Sequence, residues 1–139
     1  MAESAAKLTA LRSGAEVHYA TCDIREADAI DAYVDAAVKA LGALDVLVNN
    51  AGIYEAHPVL TTSPEKWDAS WARTIATNLV GPADLIHAVV PHMVEQGGGR
   101  IVNVTSRGAF RVVPELAASC PYQPGPNTTH PHMALATTP

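Results

Sequence analysis

The sequence lacks several features that mark whole classes of protein. None of its 139 residues belongs to an apolar run near the roughly 20 residues that span a bilayer, and the N-terminus has no signal-peptide core. It also has no block of lysine and arginine, and its net charge is -5, which argues against nucleic acid as a partner. We therefore expect a cytoplasmic protein that binds neither membranes nor nucleic acid.

Cysteine is scarce as well. Cys22 and Cys120 lie far apart in the chain, which favours two reduced thiols over a ligand pair or a disulfide. The motif "HPH" at 130–132 could bind a metal together with Cys120. A single His-x-His in a tail is usually only part of the tail, so we predict no metal site.

An alternation of strand and helix patterns runs through the first 105 residues. Apolar spacing and turn residues predict helices over 2–12, 26–41 and 64–96 and strands over 15–24, 44–48 and 101–105. This order predicts an α/β fold with a parallel sheet and flanking helices. The continuous apolar character of the strand at 44–48 further predicts burial on both of its faces.

The long helical segment carries clear start and break signals. Ser63 is the predicted N-cap, Pro64 the first helical residue and Glu65 part of the first turn. Further along, Pro82 and Pro91 are predicted to kink or divide the helix.

Polar and small residues follow three of the predicted strands. Asp23, the Asn49–Gly52 turn and Ser106 all stand where a strand ends. Ligands of parallel sheets bind at the carboxyl ends of the strands. These positions are therefore the candidate site.

The composition changes near the C-terminus. Residues 112–139 hold six of the ten prolines and no lysine or arginine. Such proline density excludes regular helices and strands of useful length. We therefore divide the chain into a domain over 1–113 and an irregular, proline-rich tail over 114–139.

Four segments resemble, in order and spacing, motifs of the short-chain dehydrogenase/reductase family. They are "CDI" at 22–24, "LDVLVNNAG" at 44–52, "TNLVGP" at 77–82 and "GRIVNVTSRGA" at 99–109. The resemblance covers about residues 2 to 111. It implies a partial Rossmann-like sheet, NAD or NADP as cofactor, and hydride transfer between nicotinamide and a small-molecule carbonyl or alcohol.

The resemblance also implies roles for five cofactor-binding residues. Asp23 matches the aspartate that contacts the adenine ring, and Ile24 matches the apolar residue of the adenine pocket. Asn50, Ala51 and Gly52 match the segment that runs beside the cofactor ribose and braces the sheet. Small residues suit a backbone that lies flat against a ligand.

Two further matches concern catalysis. Asn78 matches the asparagine that holds a water in a proton relay, and Ser106 matches the serine that polarises the substrate carbonyl. The sequence also allows purely structural roles for these residues. Asp23 could cap the helix that begins near Glu26, Asn78 could bond to its own helix backbone, and Gly52 and Ser106 could be ordinary turn residues.

Two departures from the family pattern weigh against an active isolated chain. The glycine-rich turn that holds the pyrophosphate has no match, because the first glycine is Gly14. The Tyr-x-x-x-Lys pair has none either: Pro126 stands four residues after Tyr122, and the last lysine is Lys66. We therefore interpret the chain as an internal fragment of a reductase gene.

This interpretation makes a structural prediction and leaves a second function open. With the first two family strands missing, the strand ending at Asp23 has no neighbour, and only those at 44–48 and 101–105 pair. The alternative function is a non-catalytic fragment that associates with a full-length reductase, or with another copy, through the helix at 64–96.

Overall fold

The computed structural model describes residues 17–105, an alternation of helices and strands. The predicted helix over 2–12 and the tail over 114–139 lie outside these residues. In chain order the elements are α1 (Ala27–Leu41), β1 (Val46–Asn49), α2 (Pro64–Ile75), a π-helical turn (Ala76–Val80), α3 (Gly81–Glu95) and β2 (Arg100–Asn103). The predicted α/β class is confirmed.

The sheet of the described segment consists of β1 and β2, paired in parallel with Leu47 opposite Ile101. This confirms that the strands predicted at 44–48 and 101–105 pair. The ends of each observed strand differ from the predicted ends by one or two residues. The strand predicted over 15–24 is wrong for residues 17–24, which form no strand, whereas the prediction that this segment has no neighbouring strand is confirmed within residues 17–105. A strand needs a hydrogen-bonded neighbour, and within residues 17–105 none lies beside this segment.

Helices α1 and α3 pack together and cover one face of the sheet. Their buried side chains form the core, and Leu47 and Ile101 from the two strands pack against it. The core residues are Ile30, Val34, Val89 and Met93. Full burial of one such side chain contributes about 1.5–3 kcal/mol, so this small cluster is the main apolar contribution to stability in residues 17–105.

The opposite face of the sheet is exposed. Val46 and Val48 of β1 are 53% and 54% exposed, and Val102 of β2 is 45% exposed. The prediction that β1 is buried on both faces is therefore wrong. Its apolar run is typical of a strand covered on both sides, but residues 17–105 supply helices for one side only.

Local signals set the helix ends. The predicted helix over 26–41 is confirmed as α1, with Gly42 in the left-handed conformation at φ 77° and its N–H bonded to the Val38 carbonyl. At the start of α2 the Ser63 hydroxyl accepts a hydrogen bond from the Lys66 N–H, and Pro64 opens the helix. The predicted N-cap is thus confirmed.

The predicted long helix is divided at the π-helical turn. There the Gly81 N–H bonds to the Ala76 carbonyl, five residues back instead of four. Pro82 follows this turn at the start of α3, and the backbone stays right-handed helical through Val80 and Gly81. Because Pro82 has no N–H, it cannot continue the hydrogen-bond pattern at this point. Pro91 lies inside α3 and does not end it. The hydrogen-bond pattern of the predicted long helix therefore changes just before Pro82, and α3 continues past Pro91.

A glycine turn connects helix α3 to β2. Gly97 and Gly98 have φ values of 98° and 141°, which favour glycine. Just before it, the Gln96 side chain bonds both backbone groups of Leu44, donating to the carbonyl at 2.9 Å and accepting from the N–H at 3.0 Å. This amide fixes the end of α3 to the segment that enters β1.

Candidate functional site

A cavity of about 840 Å³ lies beside the segments that follow residue 21 and strand β1. Four of the five predicted cofactor-binding residues line it: Asp23, Ile24, Ala51 and Gly52. The fifth, Asn50, is exposed and is not part of this lining. Two separate segments of the chain therefore bring predicted site residues to one cavity.

Asn78 stands behind this cavity and joins two elements. Its Oδ1 accepts a hydrogen bond from the Ile53 N–H at 2.8 Å, and its Nδ2 donates to the Ile53 carbonyl at 2.9 Å. The residue is buried within the π-helical turn. The alternative in which Asn78 bonds to its own helix is wrong, since the amide bonds to the loop after β1. Asn78 thus sets where that loop lies.

Gly52 packs directly against this asparagine. A Cβ atom placed at Gly52 would lie 3.4 Å from Asn78 Oδ1, at the tight end of ordinary contact. A small residue at position 52 leaves room for the Asn78–Ile53 contact. It also leaves room for a ligand in the cavity. The sequence predicted either a turn residue or a cofactor contact for Gly52, and it did not indicate that Gly52 packs against Asn78.

Asp23 is held by a neighbour two residues along the chain. Its carboxylate accepts hydrogen bonds from Arg25 Nε at 2.9 Å and from the Arg25 N–H at 3.1 Å. The Arg25 side chain, and then its backbone N–H, lower the pKa of Asp23 to about 2. The N-cap of α1 is Glu26, so the alternative in which Asp23 caps the helix is wrong. Asp23 is an anion at neutral pH.

The tips of the two strands meet through their side chains. Asn49 Nδ2 donates to Asn103 Oδ1 at 2.9 Å, which links the carboxyl ends of β1 and β2. Asn49 is buried, and its Oδ1 has no hydrogen-bond partner within residues 17–105. This pair braces the sheet next to the candidate site.

A polar cluster that the sequence did not indicate borders the same cavity. Arg73 donates to Glu55 from Nε at 2.7 Å and from Nη2 at 2.8 Å, and both residues line the cavity. The Ser70 hydroxyl donates to the same carboxylate at 3.0 Å. Hydrogen bonds from Arg73, and more weakly from Ser70, lower the pKa of Glu55. Glu55 and Arg73 are 18 residues apart, so no local spacing reveals the pair.

His57 and two tryptophans support this cluster from behind. The His57 ring is buried, with Nδ1 lying 2.8 Å from the Glu55 carbonyl oxygen and 3.2 Å from Ser70 Oγ. Its centroid is 5.3 Å from that of Trp67 in an edge-to-face arrangement. The loop that carries Glu55 is therefore packed in place before any ligand arrives.

Some predicted residues lie outside the described part of the chain. Ser106 follows the last described residue, and Tyr122 and the "HPH" motif at 130–132 lie further on. Within residues 17–105 no group of three or more metal-binding side chains is found. In the same segment no helix has both the length and the apolar character needed to cross a membrane.

Comparison with known proteins identifies this architecture. The described residues form part of a Rossmann-like α/β fold. The chain belongs to the short chain dehydrogenase family, whose pattern it matches over residues 1–120. This confirms the resemblance seen in the sequence and extends it beyond residue 111.

Relatives and solved structures agree with this assignment. The chain is 37% identical over 109 residues to the Probable galactose dehydrogenase GalD of Rhizobium meliloti (strain 1021), covering 78% of this chain and 41% of that protein. The crystal structure of NAD+-bound xylitol dehydrogenase aligns with a TM-score of 0.83 and 26% identity, covering 99% of this chain and 52% of the other.

A third protein in this comparison holds the other nicotinamide cofactor. Gluconate 5-dehydrogenase from Burkholderia cenocepacia J2315, in complex with NADP and tartrate, aligns with a TM-score of 0.81 and 27% identity over 96% of this chain and 50% of its own. The chain therefore spans about half the length of the proteins it resembles. Its family uses nicotinamide cofactors.

Proposed function

We propose that this chain is part of an NAD- or NADP-dependent oxidoreductase that transfers hydride between nicotinamide and a small-molecule carbonyl or alcohol. The observation that carries the proposal is the single cavity that gathers Asp23, Ile24, Ala51 and Gly52 from two segments. The two dehydrogenase structures named above, one with NAD+ and one with NADP, support a nicotinamide nucleotide as the ligand.

The proposed cofactor contacts follow from the residue types. Asp23 is an anion that can accept hydrogen bonds from an adenine amino group, and Ile24 offers an apolar surface to the ring. Ala51 and Gly52 leave room for a ribose to approach the backbone. Asn50 is proposed to contact the ribose from the same turn, although it does not line the cavity in this structure.

Asn78 and Ser106 are the proposed catalytic residues. The Asn78 amide uses one lone pair of Oδ1 and one N–H of Nδ2 in its hydrogen bonds to Ile53. The second lone pair and the second N–H remain available to bind a water. The Ser106 hydroxyl would donate a hydrogen bond to the substrate oxygen as negative charge develops there. Asn78 would then hold a water of the proton relay.

The isolated chain is proposed to be inactive in turnover. A phenol with a pKa near 10 needs a nearby cation to act as an acid or base at neutral pH. Pro126, not lysine, stands four residues after Tyr122. Cofactor binding and turnover are therefore separate questions for this chain.

A fluorescence titration with NADH and NADPH tests the binding part of the proposal. We expect saturable binding at micromolar concentrations of at least one of the two. Ala51→Leu, on the cavity lining, should weaken it at least about tenfold, which corresponds to about 1.4 kcal/mol. Ala72→Leu, at an exposed position of α2 outside the lining, is the matched control and should bind normally. Equal loss in both variants, or no binding by the wild type, would contradict the proposal.

The second candidate function is a non-catalytic fragment that associates with a full-length reductase or with another copy. The exposed valine face of the sheet favours it, because surface of this kind is normally covered. The surface suggested by the sequence, 64–96, comprises α2, the π-helical turn and α3. Co-elution with a full-length family member, without NADH or NADPH binding, would favour association over the cofactor proposal.

A further inference from the structure

Two arginines share the cavity with the predicted cofactor-binding residues. Arg25 follows Asp23 in the segment before α1, and Arg73 lies on α2. Both line the cavity that Ala51 and Gly52 also line. Neither arginine has a role in the proposed hydride transfer. Their presence at this cavity therefore needs a separate explanation.

Each guanidinium is held in place by a carboxylate. Arg25 is paired with Asp23, and Arg73 is paired through two hydrogen bonds with Glu55. Glu55 is itself fixed by the Ser70 hydroxyl. Each arginine therefore has a preferred position in the free protein, which lowers the entropy that a ligand would have to overcome on binding.

The pairs leave donors unused. A guanidinium carries five N–H groups, and each pair engages only the edge formed by Nε and Nη2. Within residues 17–105, no other protein acceptor binds the remaining N–H groups of either arginine. Their side chains are 43% and 47% exposed, so an anion can reach them without breaking the carboxylate pairs.

The two positive charges also act on one another. Hydrogen bonding and the charge of Glu55 raise the pKa of Arg73, while the positive charge of Arg25 opposes that rise. The geometric observation is that both guanidinium groups line the same cavity, each beside its paired carboxylate. A phosphate would therefore have to bind through the N–H groups that point away from Asp23 and Glu55.

We propose that Arg25 and Arg73 form an anion subsite of this cavity that binds a phosphate group. Guanidinium groups bind phosphate through paired N–H donors, which fits the free edges described above. The phosphate could belong to a bound nucleotide or to a free oxyanion. The proposal rests on the proposed function only in naming the nucleotide as the expected source.

Isothermal titration of the full chain with inorganic pyrophosphate tests the subsite directly. The wild type should bind, and Arg25→Gln with Arg73→Gln together should weaken binding at least about tenfold, because hydrogen bonds to charged groups are strong. Lys66→Gln removes the same charge from α2 but lies outside the cavity lining, so it should leave binding unchanged. Arg73→Lys keeps the charge without the planar fork and should fall between these results.

Several outcomes would overturn the proposal. They are no pyrophosphate binding by the wild type, undiminished binding by the double variant, and a loss with Lys66→Gln that equals the loss with the double variant. If the double variant fails to fold, the Arg73→Lys variant provides the test. Pyrophosphate binding equal to that of the wild type would show that only the positive charge at position 73 matters, and the proposed guanidinium subsite would fall.

Competition between ligands separates the two sources of phosphate and the two proposals. If pyrophosphate displaces NADH, the nucleotide is the source and both proposals stand. If pyrophosphate binds through the arginines but NADH does not, the subsite stands for a free oxyanion and the proposed function falls. If NADH and pyrophosphate both bind equally well to the wild type and the double variant, the proposed function stands and the arginine subsite falls.

Discussion

The two faces of the β1–β2 sheet differ more than any other two regions of the described structure. On one face α1 and α3 bury Ile30, Val89 and Met93 against the strands. On the other face Val46, Val48 and Val102 are about half exposed. The open face also carries the charged Arg100, opposite Val46, whereas the covered face presents Leu47 and Ile101. The strand sequence therefore indicates the covered face only in β2, because β1 is apolar on both faces. Coverage depends on which helices residues 17–105 contribute.

The comparison predicts its largest effect at the centre of the covered face. Met93 is 0% exposed, so Met93→Ala removes a fully buried side chain and leaves a cavity. We expect the free energy of unfolding to fall by about 2–5 kcal/mol. Urea denaturation followed by circular dichroism would measure it. A loss below about 1 kcal/mol would mean that this face is not the core.

A smaller effect is expected where α3 meets the segment before α1. A Cβ atom at Gly81 would overlap the backbone carbonyl oxygen of Ile24, which cannot move like a flexible side chain. Gly81→Ala should therefore destabilise the protein by about 1–3 kcal/mol, although alanine is normally the better helix former. Ala83→Gly, two residues on at an exposed helical position, is the control for helix propensity. A stabilised Gly81→Ala variant would show that Ile24 does not pack here.

The next effect concerns the side-chain amides that hold the two ends of β1. Asn78 bonds both backbone groups of Ile53 and is buried, whereas Gln96 bonds both groups of Leu44 and is exposed. Asn78→Ala should cost about 1–3 kcal/mol, because it removes two part-buried hydrogen bonds made by a buried side chain. Gln96→Ala, measured by the same thermal unfolding experiment, should cost less, since water replaces its contacts. Equal losses would contradict the assigned difference in burial.

The smallest effect is expected on the open face. Val48 is 54% exposed, so Val48→Ala should change the free energy of unfolding by less than about 0.5 kcal/mol. Val89→Ala makes the same chemical change on the covered face and should cost clearly more. If Val48→Ala costs as much as Val89→Ala under the same denaturation conditions, something covers the open face in solution.

Local sequence signals predicted much of this fold because the physics behind them is local. The Ser63 N-cap and the Pro64 start each depend on a few neighbouring residues, and the structure confirms both. The strand over 15–24 failed for the opposite reason. Its alternation is a genuine strand pattern, but a strand also needs a partner, which its own residues cannot supply.

The candidate site divides in the same way. Motif spacing pointed to the segments around Asp23 and Gly52, and in the structure both segments line one cavity. The Glu55–Arg73 pair and the Asn78–Ile53 contact join residues 18 and 25 positions apart, and no periodicity connects them. Such contacts follow only from the way in which the loop after β1 packs on α2 and the π-helical turn.

The most direct test of the central claim is an NMR titration of the full chain with NAD+, following the backbone amides. The claim is that the cavity beside Asp23 and Gly52 receives the nucleotide. It predicts concentration-dependent shifts at Asp23, Ile24 and Gly52, with Gly42 and Leu44 at the far end of β1 unmoved. Shifts confined to other residues, or no shifts at millimolar NAD+, would contradict the claim.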